Sequence, residues 1–168
     1  NADLFISIHT NASRDRRAYG LETYFLNLAT DEEAIRVAAM ENATSTKNIS
    51  DLQKILFDLM QNAKINESSR LAAYVQTAMV GHLRNKRYTR VKSKGVKQAP
   101  FYVLLGAQMP SILIEAAFIS NPRECKRLVN PMFQERIAEG IVQGIRQYIK
   151  ATSPTAFRKQ LLHSQPRG

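Results

Sequence analysis

The chain opens on a short segment in which apolar and polar positions alternate. Within residues 3–8, Leu4, Ile6 and Ile8 share one face, and a polar run at residues 10–13 follows. A period of two is typical of a β-strand with two different faces. Residues 21–26 are rich in β-branched and aromatic side chains and predict a second strand.

Two later segments, 101–105 and 111–115, are almost wholly apolar. Continuous apolar runs of this length are typical of strands that are covered on both faces. We therefore expect both segments, together with the strand at residues 3–8, to be central strands of one sheet.

Apolar residues at helical spacing predict the helices between these strands. The first helix follows a capping box in which the Thr30 hydroxyl caps and Glu33 reaches back, and it ends near Asn42. A cap at Ser50-Asp51 introduces a second amphipathic helix over residues 49–63. A third helix carries an apolar stripe from Leu71 to Leu83.

Two further helices are predicted in the last third of the chain, where Asn121-Pro122 and Asn130-Pro131 each place a capping Asn before a Pro. The second of these is long and turns Phe133, Ile137, Ile141, Ile145 and Tyr148 inward. Strands that alternate with helices indicate an α/β fold, a mainly parallel twisted sheet flanked by helices.

Length and composition set the domain organisation. At 168 residues the chain has room for one domain. We expect this domain to span residues 1–150 and a flexible basic tail to span residues 151–168. A strand begins almost at Asn1, which is not Met, so we expect the chain to continue upstream and the sheet to lack its first strand and helices here. No apolar run approaches the ~20 residues of a transmembrane helix.

The net charge of the chain restricts the classes of binding partner but does not identify one. The 24 Lys and Arg residues against 14 Asp and Glu residues give a net charge of +10, which favours anionic partners. Seven basic residues and no acidic residue lie in 84–97, a stretch expected to be solvated. This stretch leaves open a non-catalytic module that binds cell wall or nucleic acid. The single Cys125 excludes an internal disulfide and a thiolate zinc finger.

Two residues at strand ends are candidates for chemistry. His9 ends the first strand, and Glu115 ends the apolar run 112–114. If the two strands are neighbours, both side chains open into one cleft at the carboxyl edge of the sheet. Metal-assisted hydrolysis requires an imidazole that binds the metal and, beside it, a carboxylate that does not bind the metal. The alternatives are a structural histidine and a glutamate paired with an arginine. His82, on a helix, and His163, in the tail, are not expected to be ligands.

Three ordered motifs resemble one enzyme family. They are Ser7-Ile8-His9-Thr10-Asn11-Ala12, residues 95–104 around Lys97, and residues 110–121 around Glu115. Together they resemble the zinc-dependent N-acetylmuramoyl-L-alanine amidases of the bacterial cell-division branch, over residues 1 to about 149. One departure is Ala117, where the family usually has glycine.

The resemblance implies roles for individual residues. His9 would be a Zn²⁺ ligand, with two further ligands expected upstream of Asn1, and Glu115 would be the catalytic glutamate. Asn11 and Lys97 would contact the substrate. The reaction would be hydrolysis of the amide between N-acetylmuramic acid and the L-alanine of the peptidoglycan stem peptide, in cell-wall turnover and daughter-cell separation. The setting would be the periplasm or cell envelope, and nucleic acid is not an expected partner.

The resemblance also implies regulation by an inserted helical segment at about residues 43–65. In the division branch such a segment follows a Glu-Asn pair, here Glu41-Asn42, and covers the active site until an activator protein displaces it. Glu41 is expected to occupy the metal's open position. The apolar stripe of the segment is expected to be only partly buried; it begins at Ile49 and includes the predicted regulatory residues Leu52, Ile55, Leu56 and Leu59. From periodicity alone, the same helix could equally be a permanent part of the core.

Overall fold

Four strands form one sheet in the computed structural model, which describes residues 2–51, 53 and 64–153. They are β1 (Phe5–Asn11), β2 (Leu21–Leu26), β3 (Ser93–Ala99) and β4 (Ser111–Phe118), in the order β1-β4-β2-β3. The β1–β4 and β2–β3 pairs are parallel, and β2–β4 is antiparallel. A mainly parallel sheet is therefore confirmed, with one reversal at its centre.

Helices cover both faces of this sheet, as the pattern of apolar residues predicted. They are α1 (Glu32–Glu41), α2 (Ile65–Asn85), α3 (Pro122–Leu128) and α4 (Pro131–Thr152). Asn121 and Asn130 cap α3 and α4 through their side chains, as expected. Helix α4 extends into the predicted tail, whose remaining residues 154–168 lie outside the described part. No helix in the described ranges is both long enough and apolar enough to cross a membrane.

Strand β4 divides the core into two layers because its successive side chains point to opposite faces. Ile112 and Ile114 pack with α2 and α4, whereas Leu113 packs with Tyr24 and α1. The stripe predicted for the long last helix faces the first layer, with Ile145 partly buried and the other four members buried. All eight residues of β4 are buried, which confirms its place as a central strand.

Three predictions about strands are wrong. Strand β1 pairs only with β4 among the described residues and lies at the edge of the sheet, where Ile8 is 58% exposed. Residues 101–105 are not a strand, since Tyr102–Leu104 form a 3-10 turn after Pro100. The expectation that the basic stretch 84–97 is solvated is wrong at β3, where Lys94 and Lys97 find carboxylate partners inside the fold. The other five basic residues of the stretch are exposed, as expected.

Two predicted helix starts also differ from the structure. The side chain that caps α1 is Asp31 rather than Thr30, and Glu33 pairs with lysines of β3 instead of closing a capping box. Residues 46–51 are already helical, so Ser50 and Asp51 lie inside a helix and do not begin it. The Ser45 hydroxyl, which accepts the Asn48 amide, is at the actual start.

Helices α2 and α4 pack closely because glycines face the contact. A Cβ on Gly144 would lie 2.5 Å from Val75 Cα, and one on Gly140 would lie 2.7 Å from Met79 Cα. Both distances are shorter than non-bonded carbons tolerate, so neither position can accept a side chain unless the helices separate. Gly81 of α2 has open space around its Cα.

Gly144→Ala should therefore destabilise the protein by about 1–3 kcal/mol, the usual cost of overpacking a core. Gly81→Ala is the matched control and should stabilise by up to ~1 kcal/mol, because alanine favours a helix over glycine. Urea unfolding of both variants measures the two changes, and equal effects would contradict the close-packing explanation.

Candidate functional site

Three chemically active side chains form a row across the middle of the sheet. His9 of β1 is in register with Glu115 of β4, and Glu115 is in register with Glu22 of β2. Residues in register on neighbouring strands point to the same face. The structure therefore brings His9 and Glu115 together on the α1 face, as expected, and adds Glu22, which sequence reasoning missed.

His9 lies at the partly open end of this row. Its Nδ1 is 2.5 Å from Glu41 Oε2, and its Nε2 is 2.8 Å from the Ser7 hydroxyl oxygen. Its side chain is 34% exposed, so solvent reaches the imidazole. Glu41 is the last residue of α1, where the helix dipole disfavours negative charge. The contact with His9 offsets this unfavourable position.

Glu115 is fully buried in the centre of the row. Neither of its carboxylate oxygens has a hydrogen-bond partner among the described residues, so the arginine pairing considered from the sequence is not found there. Burial first, then the charges of Glu41 and Glu22, raise the pKa of Glu115 to about 8. An unpaired buried carboxyl with a raised pKa is a common property of proton-transfer groups in enzymes.

Glu22 is fully buried but is held in a network of charges. Lys94 and Lys97 of β3 contact its two oxygens at 2.9 and 3.0 Å, and both ammonium groups also contact Glu33 of α1. Burial alone would raise the pKa of Glu33, but its bonds to the two lysines outweigh burial and hold the pKa at about 2. This network fixes α1 over the sheet.

The two residues predicted to contact substrate both belong to this network. Lys97 is engaged by Glu22 and Glu33, and its side chain is 16% exposed. Asn11 is buried, and its Nδ2 donates to Glu22 Oε1 at 3.1 Å. Its Oδ1 has no partner among the described residues. Substrate contact by Asn11 and Lys97 stays a prediction.

Ala117, two residues after Glu115, has a backbone conformation that favours glycine. Its φ is +135°, a region that L-residues rarely adopt. The β1–β4 register shifts at the same level, between His9 and Asn11. The irregularity there interrupts regular pairing immediately beyond the His9–Glu115 pair, and pairing continues between Asn11 and Phe118.

A groove of about 600 Å³ opens beside His9 at the edge of the sheet. His9, Glu41 and Ile8 line one side, and Ile137 and Ile141 of α4 line the other. The groove is deep enough to hold several atoms of a ligand, and Glu41 lies at its His9 end. It gives an extended molecule a path to the imidazole.

The donors at this site suit a metal such as zinc in kind but do not complete a set. Imidazole nitrogen and carboxylate oxygen are both zinc ligands, and zinc takes at least three protein ligands. Among the described residues, no group of three or more His, Cys, Asp or Glu side chains could hold a metal ion. Among the described residues, His9 and Glu41 therefore supply at most part of a metal site.

The inserted segment is described only at its start. Ile49 is fully buried beside Tyr24 and Phe101, and the Gln53 side chain accepts the Ala29 amide at 2.5 Å. The expectation of a partly buried stripe is therefore wrong at Ile49, which fills the second core layer. The predicted regulatory residues Leu52, Ile55, Leu56 and Leu59 lie outside the described residues, as does His163. His82 lies on α2 and pairs with Glu139.

Comparison with known proteins identifies the family. The model of the Amidase_3 family, described as N-acetylmuramoyl-L-alanine amidase, matches residues 1–147. The chain belongs to this amidase family. This amidase-family chain is 30% identical to the N-acetylmuramoyl-L-alanine amidase AmiA of Escherichia coli, over 99% of the chain and 57% of the relative. It is 32% identical to AmiC of Neisseria meningitidis, over 90% of the chain and 37% of the relative.

Solved structures of amidases share the fold. An N-acetylmuramoyl-L-alanine amidase from Clostridium difficile superposes with a TM-score of 0.62 at 29% identity, covering 90% of this chain and 60% of that one. The CwlD amidase of Clostridioides difficile, solved in complex with the GerS lipoprotein, gives 0.57 at 26% identity, with coverages of 90% and 56%. The chain thus spans roughly half the length of the proteins it matches.

The raised pKa of Glu115 makes the stability of this amidase-family chain depend on pH. Between about pH 4.5 and pH 8 the unfolded chain releases this proton while the folded chain keeps it, so the folded state loses stability as pH rises. Glu115→Gln, which cannot ionise, should therefore be more stable than the parent at pH 8 by a few kcal/mol, and the difference should vanish near pH 4.

Urea unfolding at several pH values with EDTA present measures this difference. Glu32→Gln, on the first turn of α1, is the control for removing a carboxylate elsewhere. A difference between the Glu115 variant and the parent that stays constant from pH 4 to pH 8 would contradict the buried, protonated carboxyl.

Proposed function

We propose that this chain is the catalytic part of a peptidoglycan amidase that hydrolyses the bond between N-acetylmuramic acid and L-alanine. The observation that supports the proposal most directly is the unpaired Glu115 carboxyl in register with His9, beside a groove, in a chain of the amidase family. Family membership supports the substrate class, and the site supports a hydrolytic reaction.

In the proposed reaction each residue of the row has a separate task. Glu115 accepts the proton of the attacking water and returns it to the leaving amide nitrogen. His9 would hold a Zn²⁺ ion together with further ligands of the complete protein. When bound, zinc would polarise the amide carbonyl and make water easier to deprotonate. Glu115 would ionise more readily beside a dication held by His9, so its pKa would fall toward neutrality.

The Glu22 network would keep the row in place during the reaction. Lys94 and Lys97 neutralise Glu22, so the only buried carboxyl in the row without a bonded cation is Glu115 among the described residues. Asn11 ties β1 to Glu22 and is within the His9 motif. We propose that its unpartnered Oδ1 accepts an N–H of the substrate.

We further propose that the observed state is closed. Glu41 contacts the imidazole Nδ1 and lines the groove together with His9, and this supports its role as the carboxylate that competes with metal and substrate at His9. The segment at about residues 43–65 would be displaced by an activator protein, although Ile49 anchors its first turn in the core. We place the enzyme in the periplasm or cell envelope, acting in daughter-cell separation.

Glu115→Gln in the complete protein should keep its zinc but lose at least about 100-fold in turnover, since an amide cannot transfer the proton. His9→Ala should lose zinc as well as activity. Metal analysis and dye release from labelled peptidoglycan measure the two properties, with Glu32→Gln as a control of unchanged activity. Full turnover in the Glu115 variant would contradict the assignment. A parent protein that binds the labelled peptidoglycan but neither holds zinc nor releases dye would leave only a wall-binding module.

Glu41→Gln should raise the activity of the complete protein without activator, because it removes the carboxylate that competes at His9. It should not weaken α1, whose C-terminus disfavours that charge. Charging the stripe by Leu52→Lys with Leu56→Lys should act in the same direction. Dye release and thermal unfolding are measured together. Lower activity with a lower melting temperature would indicate a permanent core helix instead.

A further inference from the structure

A second cavity, of about 460 Å³, lies on the other side of the turn between α3 and α4 and is lined by cations. Its charged lining residues are Arg123, Lys126 and Arg127 of α3, and Tyr88 and Phe133 supply aromatic walls. No acidic side chain of the described ranges lines it. We refer to these residues as the basic cleft. The family resemblance assigned no role to this region.

The positive charge of the basic cleft is incompletely balanced. Arg123 Nε is buried without a hydrogen-bond partner among the described residues, while its guanidinium stacks on Tyr19. Arg127 donates to the Thr89 carbonyl at 2.8 Å and lies over the Tyr88 ring. Burial first, then the charge of Arg123, lower the pKa of Arg127, so the two guanidinium groups repel each other.

The carboxylate of Glu124, whose charge acts on Arg127, is engaged elsewhere. Glu124 is buried, and its oxygens accept the amides of Gly20 and Phe118. It moderates the field of the arginines but presents no oxygen to the cavity. The N-terminus of α4 is also occupied, because Asn130 caps the amides of Met132 and Phe133. An anion would therefore meet side-chain cations, chiefly the fork of Arg127 and the ammonium of Lys126.

The cleft borders the groove that leads to His9. Arg127 and Phe133 line the cleft, whereas Leu128 and Gln134, the next residue along the chain in each case, line the groove. An extended polymer that occupies the groove would therefore pass the cleft. Because the cleft and the groove are adjacent, a charged group of the polymer in the groove is a better candidate ligand for the cleft than an unrelated anion.

We propose that the basic cleft is a binding subsite for a free carboxylate of the peptide portion of peptidoglycan, held by Arg127 and Lys126 while the scissile amide lies at His9. The aromatic rings of Tyr88 and Phe133 would pack against apolar parts of the same peptide. This inference rests on the proposed function. It gives the basic residues of α3 a specific contact with the substrate, whereas net charge alone gave them only a general attraction to anions.

The test measures binding of the full chain to purified peptidoglycan sacculi by sedimentation, with EDTA present so that hydrolysis does not interfere. Arg127→Gln and Lys126→Gln should each weaken binding about five- to tenfold, the usual effect of losing one charge-assisted hydrogen bond. Arg146→Gln, on the exposed face of α4, removes the same charge outside the cleft and should change binding less than about twofold. Lys126 is exposed and makes no described hydrogen bond, so its variant tests the cleft even where Arg127→Gln fails to fold.

Chemical treatment of the sacculi separates the sources of anion. Sacculi freed of phosphate polymers by hydrofluoric acid should retain the difference between parent and variants, and sacculi with amidated carboxylates should lose it. Loss of the difference after hydrofluoric acid would overturn the carboxylate assignment, as would equal weakening by Arg146→Gln. Weaker binding of the variants to duplex DNA, with sacculus binding unchanged, would overturn it in favour of nucleic acid.

Failure of the subsite and failure of the proposed function give different results. Dye release with zinc present is measured at low substrate concentration on the same substitutions in the complete protein, because the described residues supply only part of a metal site. Equal sacculus binding by parent and variants, with amidase activity intact, refutes the subsite alone. A binding difference in a protein with no amidase activity refutes the hydrolytic function and leaves the carboxylate contact standing.

Discussion

The burial of one unpaired carboxyl group governs the arrangement of the whole site. Glu115 lies in the most deeply buried strand of the sheet, and leaving it ionised there would cost several kcal/mol. On both sides of Glu115, the charges of the neighbouring residues are balanced by partners. The neighbouring Glu22 is neutralised by two lysines, and the exposed end of the row is held by the His9–Glu41 contact. Glu115 is thus an unpaired carboxyl between Glu22 and His9, each of which contacts a partner of opposite charge.

The predictable part of the fold comes from local signals. The long apolar stripe of α4 and the Asn-Pro starts of α3 and α4 depend on residues a few positions apart, and the structure confirms them. The structure also confirms that the apolar run before Glu115 belongs to a buried strand. The proximity of His9 and Glu115 was predictable because each residue ends an apolar segment. That prediction does not require the conformation of the loops between the two segments.

The remaining features depend on contacts between distant residues. The sequence of strand β3 predicted a solvated basic loop. Its lysines point into the fold because Glu22 and Glu33, which are distant in the sequence, supply their partners. The edge position of β1 follows from strand order, which an apolar pattern does not encode. Glu22 was missed for the same reason, although a glutamate in the otherwise apolar and aromatic strand 21–26 was a signal that could have found it.

Helix α1 is fastened at its two ends by charges of different accessibility. Its first turn is attached through Glu33 to two lysines of the sheet, and its last residue reaches the partly open His9. The residue that follows, Asn42, is also held, because its Nδ2 donates to the Pro100 carbonyl and its Oδ1 accepts the Tyr102 amide. Moving the end of α1 away from the sheet edge would therefore break these two bonds as well as the contact with His9.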